Sequence, residues 1–256
     1  MDRTRQIGIG ITAMALALTA GATRAGAQTA ETPTKWEIFG GYLHGRDVYT
    51  ARQDNVSFGG VTQPVPLCTA DADANFGANF EQLLCDRNAF HGADVAVVYS
   101  ISRYIGVATN VTWQRHSDTY VDNFGPGGVQ TSTNTEHKYS VLGGVQIKDR
   151  ASAAPVRPFA HALVGVVHEK LSGADANPVE GPSTYSDAPT SVGMKVGGGL
   201  DVRLGRNVDL RAIEIDYAPV FARDRDLSIN PPDYGIHIVG KRADDVSLSF
   251  GIVLRR

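Results

Sequence analysis

The chain has 256 residues, with 24 lysines and arginines against 27 aspartates and glutamates, so its formal net charge is −3. This length accommodates one domain or at most two. The near-neutral charge argues against a nucleic-acid partner, since nucleic-acid binders carry concentrated positive charge.

The first 27 residues have the organisation of an export signal. A short basic start is followed by an apolar run over 7–22 and by the small residues Ala25 and Ala27. This pattern predicts a secretory signal peptide over residues 1–27, with a short lead over 28–34 before the folded domain. The alternative is a retained membrane anchor, but the run is shorter than the roughly 20 residues that a helix needs to cross a bilayer.

The remainder of the chain alternates between apolar and polar residues. In the segment 105–113, Ile105, Val107, Val111 and Trp113 occupy odd positions, while small or polar residues occupy the even ones. Such a period of two is the signature of a β-strand with one apolar face. Eight segments show it with varying clarity: 35–48, 93–101, 105–113, 139–148, 156–169, 194–204, 213–217 and 246–254.

The connections between these segments alternate between long and short. Polar stretches rich in Gly, Pro, Asn, Asp and Thr follow every second strand, at 49–89, 118–134, 171–190 and 223–242. This asymmetry predicts an all-β fold: an antiparallel, up-and-down transmembrane β-barrel of eight strands with long extracellular loops and short periplasmic turns.

The polar faces of the strands indicate whether the inner or the outer surface of the barrel is apolar. A transmembrane barrel turns its apolar face to lipid, and eight strands leave an interior just wide enough for side chains. A soluble, lipocalin-like periplasmic barrel with its apolar face inward is the alternative. The transmembrane arrangement predicts a charge network that fills the interior, formed by Asp94, Lys148, Lys195, Asp201, Arg203, Glu214 and Asp216.

Aromatic residues lie near the ends of several predicted strands. Tyrosine and tryptophan are enriched where a membrane protein meets the interface between lipid and water. The predicted aromatic girdle consists of Trp36, Tyr99, Trp113, Tyr139 and Tyr217.

Four segments together resemble a known family. Trp36-Glu-Ile-Phe-Gly-Gly-Tyr42, Gly197-Gly-Gly-Leu-Asp-Val-Arg203, the stretch 211–217 and the closing stretch 248–254 resemble the outer-membrane β-barrel domains related to OmpA and OmpX. The resemblance covers residues 35–256. It implies an outer-membrane location after export, insertion by the barrel-assembly machinery, and surrounding lipid and lipopolysaccharide. One departure is the end of the chain, Leu254-Arg255-Arg256, where such barrels commonly end in an aromatic residue.

Two features of the long first loop suggest a braced surface. Cys68 and Cys85 both lie within it, and an oxidising periplasm favours a disulfide between them. Closing this loop would stabilise the fold by roughly 3 kcal/mol. Asp71, Asp73 and Asn75 alternate like calcium ligands, but Phe76 and Gln82 replace the glycine and glutamate of an EF-hand loop. A solvated acidic loop without metal is therefore the prediction.

The chemistry of a barrel enzyme is not evident in the sequence. His116, Ser117 and Asp118 are contiguous, but neighbouring residues of a strand point to opposite faces, so they do not form a relay. We therefore predict a non-enzymatic outer-membrane barrel with no cofactor and no metal, which has a structural role or contacts an extracellular partner through its long, disulfide-braced loops. The alternatives are a lipid A-modifying enzyme, a small ion-conducting pore and the soluble lipocalin-like barrel.

Overall fold

The structure, a computed structural model, describes residues 34–48, 53–58, 61–66, 89–123, 128–177, 181–223, 225–230, 234–238 and 242–256. Among these residues no helix is long and apolar enough to cross a membrane. The described chain forms thirteen strands: β1 (Trp36–Val48), β2 (Gln53–Phe58), β3 (Val61–Pro66), β4 (Ala89–Ser100), β5 (Ile105–Asn123), β6 (Val129–Lys148), β7 (Val156–Asn177), β8 (Gly181–Asp187), β9 (Thr190–Arg203), β10 (Val208–Phe221), β11 (Arg225–Asn230), β12 (Tyr234–Ile238) and β13 (Arg242–Arg255).

Eight of these strands close into a ring. Each pairs with its neighbour in the order β1, β4, β5, β6, β7, β9, β10 and β13, and β13 pairs again with β1. All the pairs are antiparallel. The predicted eight-stranded, up-and-down barrel is confirmed, and closure removes the unpaired edges that an open sheet would expose.

One end of the barrel has only short turns, and both ends of the described chain meet there. The connections 101–104, 149–155 and 204–207 join consecutive wall strands. Trp36 and Arg256 exchange two backbone hydrogen bonds of 2.8 and 2.9 Å. Short turns mark the periplasmic end of a membrane barrel, so the opposite end faces outward.

The outer connections differ from the predicted loops. Much of the three polar stretches after 117, 170 and 222 is strand: β5 and β6 remain paired as far as Asn123 and Val129, β8 folds back on β7, and β11 pairs with β12. Further pairing joins β8 to β11, β12 to β2 and β2 to β3. The sequence showed no apolar alternation in the outer parts of β5 and β6 or in β8, where no side chain with a described burial is buried, so the signal that marks a half-buried strand is missing.

The two faces of the wall are chemically distinct. Large apolar side chains such as Val141, Val164 and Ile252 are 41–54% exposed on the outside. Charged side chains such as Asp94, Lys148 and Asp201 are at most 1% exposed on the inside. A wall that is apolar outside and charged inside is the arrangement of a transmembrane barrel and the reverse of a soluble one.

A β-bulge in β10 interrupts the strict alternation. The register of β10 shifts between Arg211 and Ile213 against β9, and between Arg211 and Glu214 against β13. Ala212 and Ile213 are consequently both exposed, while Arg211 and Glu214 are both buried. Strict alternation would place Ala212 on the inner face with Glu214, but the extra residue of the bulge turns it outward.

Close approach between strands explains the glycine at position 197. A Cβ atom there would meet the Asp216 carboxylate and the Ile215 carbonyl, whereas one at Gly40 would meet nothing within 4 Å. We expect Gly197→Ala to lower the free energy of unfolding by about 1–3 kcal/mol, the usual cost of overpacking, and Gly40→Ala to have little effect. Denaturant unfolding of both variants in lipid vesicles would measure the difference, and equal midpoints would contradict it.

Candidate functional site

The charged interior is built around a buried arginine that the sequence pattern did not indicate. The Arg211 guanidinium lies between two phenyl rings, 4.2 Å from the ring centre of Phe39 and 4.1 Å from that of Phe159. Its Nε and Nη1 donate to Asp201 at 2.9 Å and to Glu214 at 2.7 Å. The bulge in β10 places Arg211 here, since unbroken alternation from Glu214 would have pointed it at lipid. The two rings and two carboxylates hold the cation away from water.

Lys148 links two other strands to this group. Its Nζ donates to Glu37 at 3.0 Å and to Asp201 at 2.6 Å, and none of these three side chains is more than 2% exposed. Arg150 approaches the same Glu37 carboxylate at 3.7 Å. Each carboxylate thus contacts two cations, which offsets the cost of burying charge.

A second group lies next to it in the lumen. Lys195 Nζ is 3.4 Å from both Asp94 and Asp216. The Nε2 atom of His161 is 2.9 Å from Asp216, and its Nδ1 atom is 3.8 Å from Glu214. His161, Glu214 and Asp216 are close enough to one another to hold a metal ion. Both carboxylates already have a cationic partner, however: Lys195 pairs with Asp216, and Arg211 pairs with Glu214. The group is therefore a web of ion pairs.

Further ion pairs lie at the two ends of the lumen. At the periplasmic end, Arg255 Nε is 2.9 Å from Asp209, which also pairs with Arg157. At the outer end, Lys138 Nζ is 2.7 Å from Asp47 and 3.3 Å from Asp245. Arg255 thus belongs to the interior network.

Short-range ion pairs also occur outside the membrane. Arg103 donates from Nε and Nη2 to the two carboxylate oxygens of Asp149, both at 2.8 Å, in the periplasmic turns. These hydrogen bonds lower the pKa of Asp149 below its ordinary value.

The residues predicted from sequence to fill the interior all point into the lumen, and all but one of them are fully buried. Six of the seven are at most 3% exposed: Asp94, Lys148, Lys195, Asp201, Glu214 and Asp216. Arg203 is half-buried at the periplasmic end of β9. Sequence analysis missed further buried charged residues: Glu37, Arg150, Arg157, His161, Asp209, Arg211 and Arg255. The spacing could have revealed Arg150, which lies two residues beyond the inward-facing Lys148. Glu37, Arg157 and His161 lie in segments that alternate less regularly, so their phase was not evident.

The predicted girdle residues all face outward, and they lie at two levels. Trp36 and Tyr99 are paired in register near the periplasmic turns, with ring centres 4.8 Å apart. Trp113 and Tyr139 are paired with each other about six residues nearer the outer end of the barrel than Tyr99. Tyr217 lies near the outer end of β10. These five side chains are 40–46% exposed. The five side chains thus lie on the outer face toward the two ends of the wall, and their role as an interfacial girdle stays a prediction.

The contiguous residues at 116–118 point to opposite faces. His116 contacts the Asp118 carboxylate through Nε2 and lies 2.9 Å from the Ala89 carbonyl oxygen through Nδ1. The Ser117 hydroxyl lies on the other face, 3.0 Å from the Thr135 hydroxyl. The serine and the histidine therefore do not meet, as the alternation of a strand requires.

Several sequence predictions concern segments outside the described residues. These are the signal peptide over 1–27, most of the lead over 28–34, the disulfide between Cys68 and Cys85, and the acidic stretch around Asp71, Asp73 and Asn75. They stay predictions.

Comparison with known proteins gives matches in structure alone. No protein-family model and no curated protein matches the sequence. The attachment invasion locus protein Ail of Yersinia pestis, solved with the heparin analogue sucrose octasulfate, aligns with 88% of this chain and all of its own at 14% identity and a TM-score of 0.42. OprG from Pseudomonas aeruginosa covers 89% of this chain and 98% of its own at 10% identity and a TM-score of 0.44. The protease OmpT from Escherichia coli covers 90% and 99% at 12% identity and a TM-score of 0.48.

The ring of eight strands, the lipid-type outer surface and the charged lumen together decide the fold. This is an eight-stranded outer-membrane-type β-barrel. The expected likeness to the OmpA and OmpX barrels is confirmed at the level of the fold. Buried ion pairs in the lumen connect the strands to one another, and the group around Arg211 and Lys148 alone joins β1, β6, β9 and β10.

Proposed function

We propose that this chain is a non-enzymatic surface protein of the outer membrane, in which the barrel is the anchor and the outer sheet is the contact surface. The observation that carries the proposal is the continuity of that sheet. Strands β7, β8, β11, β12, β2 and β3 are hydrogen-bonded in that order beyond the barrel wall. A paired sheet presents a defined surface to a partner at lower entropic cost than separate loops do.

The hairpin formed by β5 and β6 adds to this surface. From Trp113 to Asn123 it continues for ten residues past the outer aromatic level, roughly 33 Å at the usual rise per residue. Thr119 and Thr133 lie opposite each other along it. The hairpin can therefore be shortened between them without disturbing the barrel wall.

Removing the outer part of this hairpin tests the contact role. We expect replacement of residues 120–132 by Asn-Gly, a favoured two-residue turn, to leave the heat-dependent gel mobility of the folded barrel unchanged. Attachment of cells that carry the protein to immobilised extracellular-matrix proteins is expected to fall about ten-fold, the usual loss when an interface loses its central contacts. Unchanged attachment by the shortened protein would contradict the contact role of this hairpin.

The packed lumen supports a closed barrel over a small pore. Lys148, Arg150, Arg211, Asp94 and Asp201 are each at most 2% exposed, so their side chains occupy the bore. We expect no discrete conductance steps when the refolded protein is incorporated into planar bilayers. Reproducible single-channel steps would instead favour the ion-conducting alternative.

Lipid A is the substrate on which the proposed lack of enzymatic activity can be tested. We expect the mass spectra of lipid A from cells with and without the protein to be the same. A change in acyl chain number that depends on the protein would favour the lipid A-modifying alternative.

A further inference from the structure

The outer surface of the barrel carries a row of basic side chains on five adjacent strands. One basic residue on each strand is paired in register with a basic residue on the next strand. The row runs from His44 on β1 through His91 on β4, Arg115 on β5 and His137 on β6 to Lys170 on β7. Arg46 adds a further basic side chain on β1, two residues beyond His44. We call these residues the basic arc: His44, Arg46, His91, Arg115, His137 and Lys170.

The arc points away from the lumen. Its members share the strand phase of exposed apolar residues: Arg115 follows Trp113 by two positions, and His137 precedes Tyr139 by two. Arg46, His91, Arg115 and Lys170 are exposed, and His44 and His137 are half-buried. The arc therefore faces the surroundings of the barrel.

The arc lies one step beyond the outer aromatic level. Tyr42, Trp113, Tyr139 and His168 are each two residues nearer the membrane centre than a member of the arc on the same strand. Tyrosine and tryptophan mark the depth of the lipid headgroups. Arg115, directly beyond the pair Trp113 and Tyr139, accordingly lies where the phosphates of the outer leaflet are found, and the arc crosses that level obliquely because the strands of such a barrel are tilted by about 35–45°.

Opposite charge is missing from the same surface. The outward-facing positions of β1, β4, β5, β6 and β7 contain no aspartate or glutamate among the described residues. On β13, which pairs with β1 at the edge of the arc, outward-facing Arg242 is instead paired at 2.8 Å with Asp244. On these five strands, within the described part of the chain, the basic side chains of the arc therefore have no acidic neighbour on the outward face.

The arc borders a shallow depression with an apolar floor. Tyr42, Ala93 and Trp113 line it together with His91 and Arg115, and its volume is about 460 Å³. His91 also lies against His44, with the two Nδ1 atoms 3.4 Å apart. Cations above an apolar floor match a ligand that has an anionic head and hydrocarbon chains.

We propose that the basic arc binds the phosphate groups of a phosphorylated, multiply acylated glycolipid in the outer leaflet. This inference rests on the proposed outer-membrane placement. Arg115 and Lys170 supply permanent charge to the phosphates, while the chains lie against the aliphatic wall below Trp113. The bound lipid is thereby held against the face formed by β1, β4, β5, β6 and β7.

Lipid retention by the purified protein tests the proposal. The refolded full-length protein is exposed in mixed micelles to equal amounts of bisphosphorylated lipid A and dephosphorylated lipid A of the same acyl composition, and retained lipid is counted by native mass spectrometry. The test variant is Arg115→Gln with Lys170→Gln. The matched control is Arg103→Gln, which removes an exposed arginine at the periplasmic end.

We expect the unaltered protein and the Arg103→Gln control to retain the phosphorylated lipid at least about ten-fold better than the dephosphorylated one, since each cation near a lipid surface contributes about a factor of five. The double variant is expected to lose this preference while keeping the gel mobility of a folded barrel. Equal retention of the two lipids by the unaltered protein would overturn the proposal. So would an unchanged preference in the double variant, or tighter binding of free inorganic phosphate than of lipid A. Failure to insert into lipid vesicles at all would instead overturn the membrane placement.

Discussion

Replacing Lys148 by methionine is expected to lower the free energy of unfolding of the barrel by about 3–5 kcal/mol, the usual cost of leaving a buried charge without its partner. Lys148 contacts Glu37 and Asp201 at 3.0 and 2.6 Å. Without the ammonium group these two carboxylates repel each other in a lumen that water does not reach. Urea-dependent unfolding in lipid vesicles, followed by tryptophan fluorescence, measures the change.

Two companion variants separate the loss of a buried charge from the loss of a cation in general. Lys148→Met combined with Asp201→Asn is expected to recover part of the stability, because the orphaned charge is removed as well. Arg103→Met breaks an ion pair whose side chains are 43% and 36% exposed, and we expect it to leave the unfolding midpoint almost unchanged. An equal loss for Lys148→Met and Arg103→Met would contradict the role given to the interior network.

An arginine on the lipid-facing side of the wall is expected to cost about 2–4 kcal/mol at the centre of the bilayer and close to nothing beyond the membrane. Strand β7 offers a matched pair for this test. Ala162 and Ala174 are both exposed and share the same outward phase. Ala162 lies midway between Val156 and His168, whereas Ala174 lies six residues beyond His168.

We therefore expect Ala162→Arg to lower the free energy of unfolding in vesicles by about 2–4 kcal/mol and Ala174→Arg to leave it nearly unchanged. The measurement is the denaturant midpoint of each variant against the unaltered protein. A soluble barrel would tolerate both substitutions, since both side chains would then be in water. Equal midpoints for the two variants would accordingly favour the lipocalin-like alternative.

Strand β6 shows that two parts of one β-strand can have different sequence patterns. Within the wall, Val141 faces lipid and Ser140 faces the lumen, so the residues alternate in polarity. In the continuation of the same strand, Thr131, Ser132 and Thr133 are all polar although they remain paired. Neither face of this part of the strand is buried, so no alternation is selected, and the polar pattern predicts a loop where the chain forms a strand.

The interior network shows a second limit. Asp94, Lys195 and Asp216 were assigned to the inner face from their phase within single strands, and the structure places all three in the lumen. Which cation meets which carboxylate depends on strands far apart in the chain: the contact of Lys195 with Asp94 joins β9 to β4. No local pattern contains that information.

The number of wall strands, their direction and the side that faces lipid followed from the sequence alone, because a bilayer imposes a period of two on every strand that crosses it. Tertiary structure decided the rest. The bulge at Ala212, which turns Arg211 into the lumen, the joining of the outer strands into one sheet and the alignment of Arg115 with His91 and His137 all depend on register between strands. Register is set by packing around the whole ring, so it becomes visible only once the ring is closed.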